Sequence, residues 1–195
     1  DPATFGAFTE PDKCMEGRWM VHDACRRSLP VIEEASAEFE KIFGRASGGL
    51  LEEFHTDDAE IILVAKGSLC GTIKDVVEAM RAEGTKVGLM RIKTYRPWPE
   101  EAVLKCVKDA KHIAVIERGA SFGAGGVMTP EIKETLFDAG LQIPVSGYCV
   151  QLGGREVPPD GIREIVDRAA KGEKQTAYEY FRLKKELLPD LVPGA

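Results

Sequence analysis

The sequence predicts an α/β domain of three layers, a five-stranded mixed sheet between two layers of helices. Three observations carry that prediction. Four short apolar runs, Ile61–Ala65, Val87–Met90, Ile113–Ile116 and Ile143–Val145, begin 26, 26 and 30 residues apart. The runs are continuous and rich in β-branched residues instead of alternating, as in parallel strands covered on both faces. The intervals between them carry apolar residues at helical spacing.

Taken in order, residues 1–21 open with turn-rich Asp1 to Pro11, begin without methionine and read as a linker from a domain missing upstream. From about His22 to Phe43, Val31, Ile32, Ala35, Phe39, Ile42 and Phe43 mark one helical face. Pro30 lacks an amide hydrogen, so either the helix kinks there or a shorter one starts with Ser28 as its cap. Gly44 is placed to end it. Leu50 to His55 is a short extra strand, and the link Thr56 to Glu60 is too short for a crossover helix, so this strand runs antiparallel to the next.

Ile73, Val76, Val77 and Met80 form the inner face of the first covering helix, closed by Gly84. Pro99, Glu100 and Glu101 start the second, with Val103, Leu104 and Val107 inward. Thr129 as cap, Pro130 and Glu131 open the third, which buries Ile132 and Leu136 and stops at Gly140. Asp160 to Ala170 and Thr176 to Leu188 read as two closing helices. The domain is expected over residues 22–170, followed by a helical extension over 171–195.

Composition narrows the function classes. The net charge of -6, from 26 basic and 32 acidic residues dispersed along the chain, leaves no basic stripe for nucleic acid. The longest apolar stretch, Ile61–Ala65, is far short of the roughly 20 residues that cross a bilayer. Five widely spaced cysteines give neither a disulfide framework nor a metal clip, so reduced thiols and a cytoplasmic location are expected. Cys106 and Cys149, beside apolar neighbours, read as core filling.

Ligands of open α/β sheets sit beyond the carboxyl ends of the strands, so the loops there are the places to search. Gly67, Ser68, Gly71 and Thr72 lie where a strand turns into a helix, whose amides could hold an anion; a plain tight turn with a Ser68 or Thr72 cap is the better account of them. The string is not a P-loop, because no lysine follows its second glycine. Gly119-Ala120-Ser121-Phe122-Gly123 matches a nucleophile elbow in letters only. Its helix starts too late, and all three histidines, His22, His55 and His112, precede Ser121. Gly123, Gly125 and Gly126 lack the further glycine a dinucleotide loop needs at Met128, which leaves a close-packing loop. Tyr95-Arg96-Pro97-Trp98-Pro99 presents an arginine and aromatics suited to an interface or an anionic ligand, and a rigid strand-to-helix connector with Trp98 tucked against the core accounts for it equally well.

In combination, Asp58-Ala59-Glu60, Gly67-Ser68, Lys74 to Val77, Gly84 to Gly88, Arg96 to Pro99 and Arg118 to Gly123 resemble the C-terminal half of the α subunit of pyruvate:ferredoxin oxidoreductase. Ketoisovalerate and other 2-oxoacid:ferredoxin oxidoreductases are similar. Gly6, Pro11 to Lys13 and Glu16 to Arg18 resemble the linker after their pyrimidine-binding domain. The resemblance spans residues 4–155 and implies a domain like the C-terminal domain of transketolase, with sheet order 1-3-2-4-5 and the first strand antiparallel. It also implies a whole enzyme that uses thiamine diphosphate, magnesium, iron-sulfur clusters and coenzyme A to oxidise a 2-oxoacid and reduce ferredoxin.

The chain lacks the Gly-Asp-Gly diphosphate motif and any cysteine grouping for a cluster, so none of these cofactors is expected on it. Alone it is expected to catalyse nothing. Its implied partners are the upstream pyrimidine-binding domain, the other subunits, ferredoxin indirectly and, among the options, a second copy. Arg96, Trp98, Arg118, Ser121, Phe122 and Gly123 are the interface candidates, expected together at the carboxyl edge of the sheet. The competing reading is an independent regulatory domain that binds an anion or nucleotide at Gly67 to Thr72.

Overall fold

A segment apolar at every position, such as Ile61–Ala65, is stable only between two covering layers, and all five of its residues are buried. In the computed structural model, which describes residues 6, 8–173, 175 and 177–188, it is β2 of a six-stranded sheet. The others are β1 (Leu51–Phe54), β3 (Val87–Ile92), β4 (His112–Glu117), β5 (Val145–Cys149) and β6 (Glu179–Tyr180). The order is β1-β3-β2-β4-β5-β6. Ile61 stands opposite Val87 and His112 in parallel ladders, whereas β1 meets β3 antiparallel, with Leu51 opposite Ile92. The chain divides into two compact units, residues 1–50 with 93–99 and residues 51–92 with 100–195, and the sheet belongs to the second.

Within that unit the helices α2 (Leu69–Ala82), α3 (Glu100–Val107), α4 (Met128–Asp138) and α5 (Pro159–Ala170) cover the sheet. Alternation along the strands sorts the core into two layers. Ile61, Leu63, Leu89, Ala114 and Ile116 pack with Ile73, Val77, Ile162, Ile165 and Val166, on the side of α2 and α5. Ile62, Val64, Ile113 and Val115 point the other way and are buried, as are Val103, Ile132 and Leu136 of α3 and α4. Gly88 is required by this register, because a Cβ there would strike the carbonyl of His55.

The sheet has six strands, not five, and the sixth comes from the stretch Thr176–Leu188 that the sequence predicts as a helix. Its Lys, Glu and Leu content favours a helix locally, but long-range partners override propensity. Phe181 is buried with its ring edge-on to Tyr148 at 5.9 Å. Arg168 donates two hydrogen bonds to the Glu179 carboxylate at 3.1 and 2.8 Å, which fixes Glu179 beside Tyr148 in β6. The rest is a single 3-10 turn, Lys185–Leu187; Thr176 and Pro189 lie outside the described residues. β5 also begins two residues later than the run Ile143–Val145, and Pro144 serves only through its carbonyl, which accepts from Ile113 at 2.9 Å.

In the first unit, α1 (Pro11–Phe43) is one helix that starts well before His22 and carries Pro30 inside it. Ser28 does not cap a shorter helix; its hydroxyl donates back to the Cys25 carbonyl at 2.6 Å. Gly44 ends α1 at φ 66°, with its N–H on the Glu40 carbonyl at 2.8 Å. The following loop returns to the helix through a 2.8 Å hydrogen bond from the Ser36 hydroxyl to the Ser47 carbonyl. Met15, Trp19, Met20 and Val21 are exposed on its first turns. Among the described residues, no helix is long and apolar enough to cross a membrane.

Candidate functional site

β4 ends in an acid that closes an apolar run, and the ten-residue loop that follows leads into α4. Both facts converge on Glu117, which is 2% exposed. Its carboxylate accepts the backbone N–H groups of Val127, Met128 and Thr129 at 2.9, 2.7 and 3.1 Å and the Thr129 hydroxyl at 2.6 Å. These are the donors that the first turn of α4 leaves unpaired, and the negative charge sits at the positive end of the helix. Thr129 is therefore not the cap expected from sequence. The helix starts two residues earlier, at Met128 with Val127 in the cap position, and a carboxylate from the neighbouring strand does the capping.

Between those ends, the loop Arg118–Gly126 is tied to itself and to the C-terminal segment. Ser121 N–H donates to the Gly125 carbonyl at 2.6 Å, and the N–H groups of Ala124 and Gly125 return to the Ser121 carbonyl, each at 2.9 Å. Tyr178 donates its hydroxyl to the Gly119 carbonyl at 2.8 Å. Its side chain fills the space others would otherwise take: a Cβ on Gly126 or Gly147 would meet the ring at 2.6 or 2.8 Å, and one on Gly125 would meet the Tyr178 Cβ at 2.9 Å. The glycine-dense loop is thus a close-packing loop. Burial and then the Glu117 charge push the Tyr178 hydroxyl well above the usual phenol range, so it remains a donor.

The sequence-predicted residues fall as follows. Arg118, Ser121, Phe122 and Gly123 share this loop at the carboxyl end of β4, all exposed, with Phe122 90% exposed. Ser121 has no histidine: His112 lies at the opposite end of β4, bonded to the Ser146 hydroxyl at 2.8 Å, and His55 faces Glu78 at 3.1 Å. Gly67 and Ser68 turn into α2 with Gly67 at φ 75°, and Ser68 takes the cap position without a side-chain bond. Gly71 and Thr72 lie in the first turn of α2, and the amides of Cys70 and Gly71 are spent on the carbonyls of Gly67 and Ser68 at 3.4 and 3.1 Å. Arg96 and Trp98 belong to the first unit. There the Arg96 guanidinium stacks over Tyr95 at 4.3 Å, and Tyr95 meets Trp98 edge-on at 5.9 Å.

Two further groups escaped the sequence reading. Glu117 and Tyr178 had a signal: a lone acid closing an apolar run, and glycines at 125, 126 and 147 that make room for something large. A cleft of about 310 Å³ beyond the ends of β5 and β6, with Val150, Leu152 and Phe181 below and Arg155, Arg182 and Lys184 around it, had none. Its Arg182 is held by Asp160 and Glu164 at 3.1 and 2.9 Å. Among the described residues no three His, Cys, Asp or Glu side chains converge as metal ligands. Burial pushes the Cys106 thiol up to about 12 and that of Cys149 upward as well; Cys149 lies in the core as expected, whereas Cys106 is only half-buried.

The chain is 38% identical over 192 residues to the pyruvate synthase subunit PorA of Methanosarcina barkeri, covering 96% of this chain and 48% of that protein. It is 40% identical over 186 residues to PorA of Methanothermobacter thermautotrophicus, covering 95% and 47%. It is 32% identical over 189 residues to the ketoisovalerate oxidoreductase subunit VorA of Pyrococcus abyssi, covering 95% and 48%. The chain thus spans about half the length of these relatives. Among solved structures, a 2-oxoglutarate:ferredoxin oxidoreductase from Magnetococcus marinus is similar with a TM-score of 0.46 at 20% identity, over 68% of this chain and 20% of that one. A profile of pyruvate:ferredoxin oxidoreductase core domain II matches residues 59–162. The chain belongs to that family, the core domain II of pyruvate:ferredoxin oxidoreductases.

Proposed function

We propose that the chain is a non-catalytic, transketolase C-terminal-like domain of a thiamine-diphosphate-dependent 2-oxoacid:ferredoxin oxidoreductase, where it serves assembly and covers the active site. The observation that carries this reading is the 38–40% identity, over almost the whole chain, to subunits of pyruvate synthase. The whole enzyme would oxidise pyruvate or a related 2-oxoacid to its acyl-coenzyme A in the cytoplasm. Thiamine diphosphate with magnesium, which supplies the decarboxylation chemistry, and the clusters that pass electrons to ferredoxin would be held by other domains and subunits. The partners are then an upstream pyrimidine-binding domain, the remaining subunits, a second copy of the assembly and, indirectly, ferredoxin. The rival regulatory role at Gly67 to Thr72 is weaker, since two amides of that turn are already satisfied within it.

The test uses the complete enzyme. Arg96→Ala and Trp98→Ala are expected to lower ferredoxin reduction or the assembled fraction on size-exclusion chromatography by about tenfold, as loss of an interface anchor of about 1.4 kcal/mol or more would. Ser121→Ala should retain most of the activity. Wild-type behaviour of both Arg96→Ala and Trp98→Ala would return that connector to a purely structural role. Titration of the 195-residue chain with thiamine diphosphate and magnesium is expected to give no binding heat, and saturable micromolar binding would sink the non-catalytic reading.

A further inference from the structure

Phe122 is the most exposed aromatic side chain of the sheet-bearing unit, at 90%, yet the loop that carries it is fastened along its length. The Ser121–Gly125 hydrogen bonds close its tip, Glu117 holds the amides where it enters α4, and Tyr178 holds the Gly119 carbonyl where it leaves β4. A bare aromatic on a mobile loop is ordinary surface. One on a loop already fixed loses only its own side-chain freedom on contact and no backbone freedom, which is the condition for an anchor residue. The exposed Arg118 at the base of the loop adds a cation beside it.

We infer that the loop Arg118–Gly126 is a pre-formed docking element whose Phe122 enters an apolar pocket in the half of the longer polypeptide that the relatives carry beyond the matched region, with Tyr178 as its positioning residue. This deepens the domain reading above and rests on it. The occupant follows from size. One loop covers far less than the roughly 1,600 Å² of a stable interface between separate proteins, so a second copy of this chain would not be held by it. A segment on the same chain needs much less, because tethering sets its effective concentration at about the millimolar level. The relatives matched along almost all of this chain are about twice its length, so such a tethered segment accompanies this domain in them. Arg118 calls for an acidic group at the mouth of that pocket.

Hydroxyl-radical footprinting of Phe122 tests the inference in three samples: the 195-residue chain, the full-length polypeptide alone, and the complete enzyme. Labelling is expected to fall at least fivefold from the first sample to the second and to change little in the third. Equal labelling in the first two samples overturns the inference, as does protection that appears only with other subunits or only on concentrating the short chain.

In the full-length polypeptide, Phe122→Ala is expected to speed amide exchange across Arg118–Gly126 by threefold or more, with Phe122→Leu restoring most of the protection. Tyr178→Phe, which removes only the hydroxyl, is expected to raise exchange in this loop and Phe122 labelling at least twofold. No change in Tyr178→Phe overturns the positioning role. An enzyme that reduces ferredoxin while Phe122 stays fully labelled removes this inference and leaves the domain reading standing. A full-length assembly that fails to oxidise any 2-oxoacid removes both.

Discussion

Glu117 shows how much one side chain can organise when it is buried and fully bonded. A carboxylate at 2% exposure is tolerable only because four donors surround it. Glu117→Ala leaves those donors buried without an acceptor, and urea unfolding is expected to show a loss of about 3 kcal/mol or more. Glu117→Gln keeps the shape but turns an amide group toward backbone N–H donors, and is expected to lose a comparable amount. Gly126→Ala should also destabilise, since its methyl group would collide with both Glu117 and the Tyr178 ring.

At the amino end of the same strand, His112 is 4% exposed and burial pulls its imidazole below the usual histidine range. The unfolded chain then binds the extra proton first, so stability is complete above about pH 6.5 and falls as pH drops below it, by up to about 1.4 kcal/mol per pH unit. The fall stops once the folded value is passed. Urea midpoints between pH 7.5 and 5 should follow this slope, and His112→Gln should flatten it.

At the scale of elements, β2, β3 and β4 were legible in the sequence, because continuous apolar runs are stable only between two covering layers, whereas the run Ile143–Val145 meets β5 only at Val145. Ile61–Ala65 matches β2 residue for residue. The inner face of α2 was legible too, with Ile73, Val76, Val77 and Met80 all buried, whereas the apolar face read over Val31 to Phe43 in α1 holds no buried residue and Val31, Ile42 and Phe43 are exposed. The C-terminal segment was not. Its place depends on partners far away in sequence, namely Tyr148 under Phe181 and the glycines under Tyr178, and local composition carries no trace of them. The segment is accordingly integral to the domain. Phe181→Ala is expected to cost about 3 kcal/mol in chemical denaturation, as large-to-small changes in a core do. A helical appendage would lose almost nothing, so an unchanged midpoint would refute the strand assignment.

For the whole molecule, the loops worth searching were legible and their chemistry was not. A sheet of this kind directs attention to the carboxyl ends of its strands whatever the sequence, and Arg118 to Gly123 was found that way. What those loops do depends on side chains that arrive from elsewhere: Tyr178 comes from the residue just before a strand not foreseen, and Glu117 read as the end of a strand. The same C-terminal segment has another consequence. A sheet with an open border invites further strands from other molecules. On one border β1 is four residues long and carries Glu52 and Glu53; on the other, the two residues of β6 and the Gln175 side chain, which accepts the Gly147 N–H at 2.6 Å, occupy the rim of β5. A chain cut after Ala170 would expose that rim, and light scattering should then reveal concentration-dependent aggregation at concentrations where the intact chain stays dispersed. Tyr178, Glu179 and Tyr180 therefore act as a selvedge, the finished margin that keeps the fabric of strands from being extended.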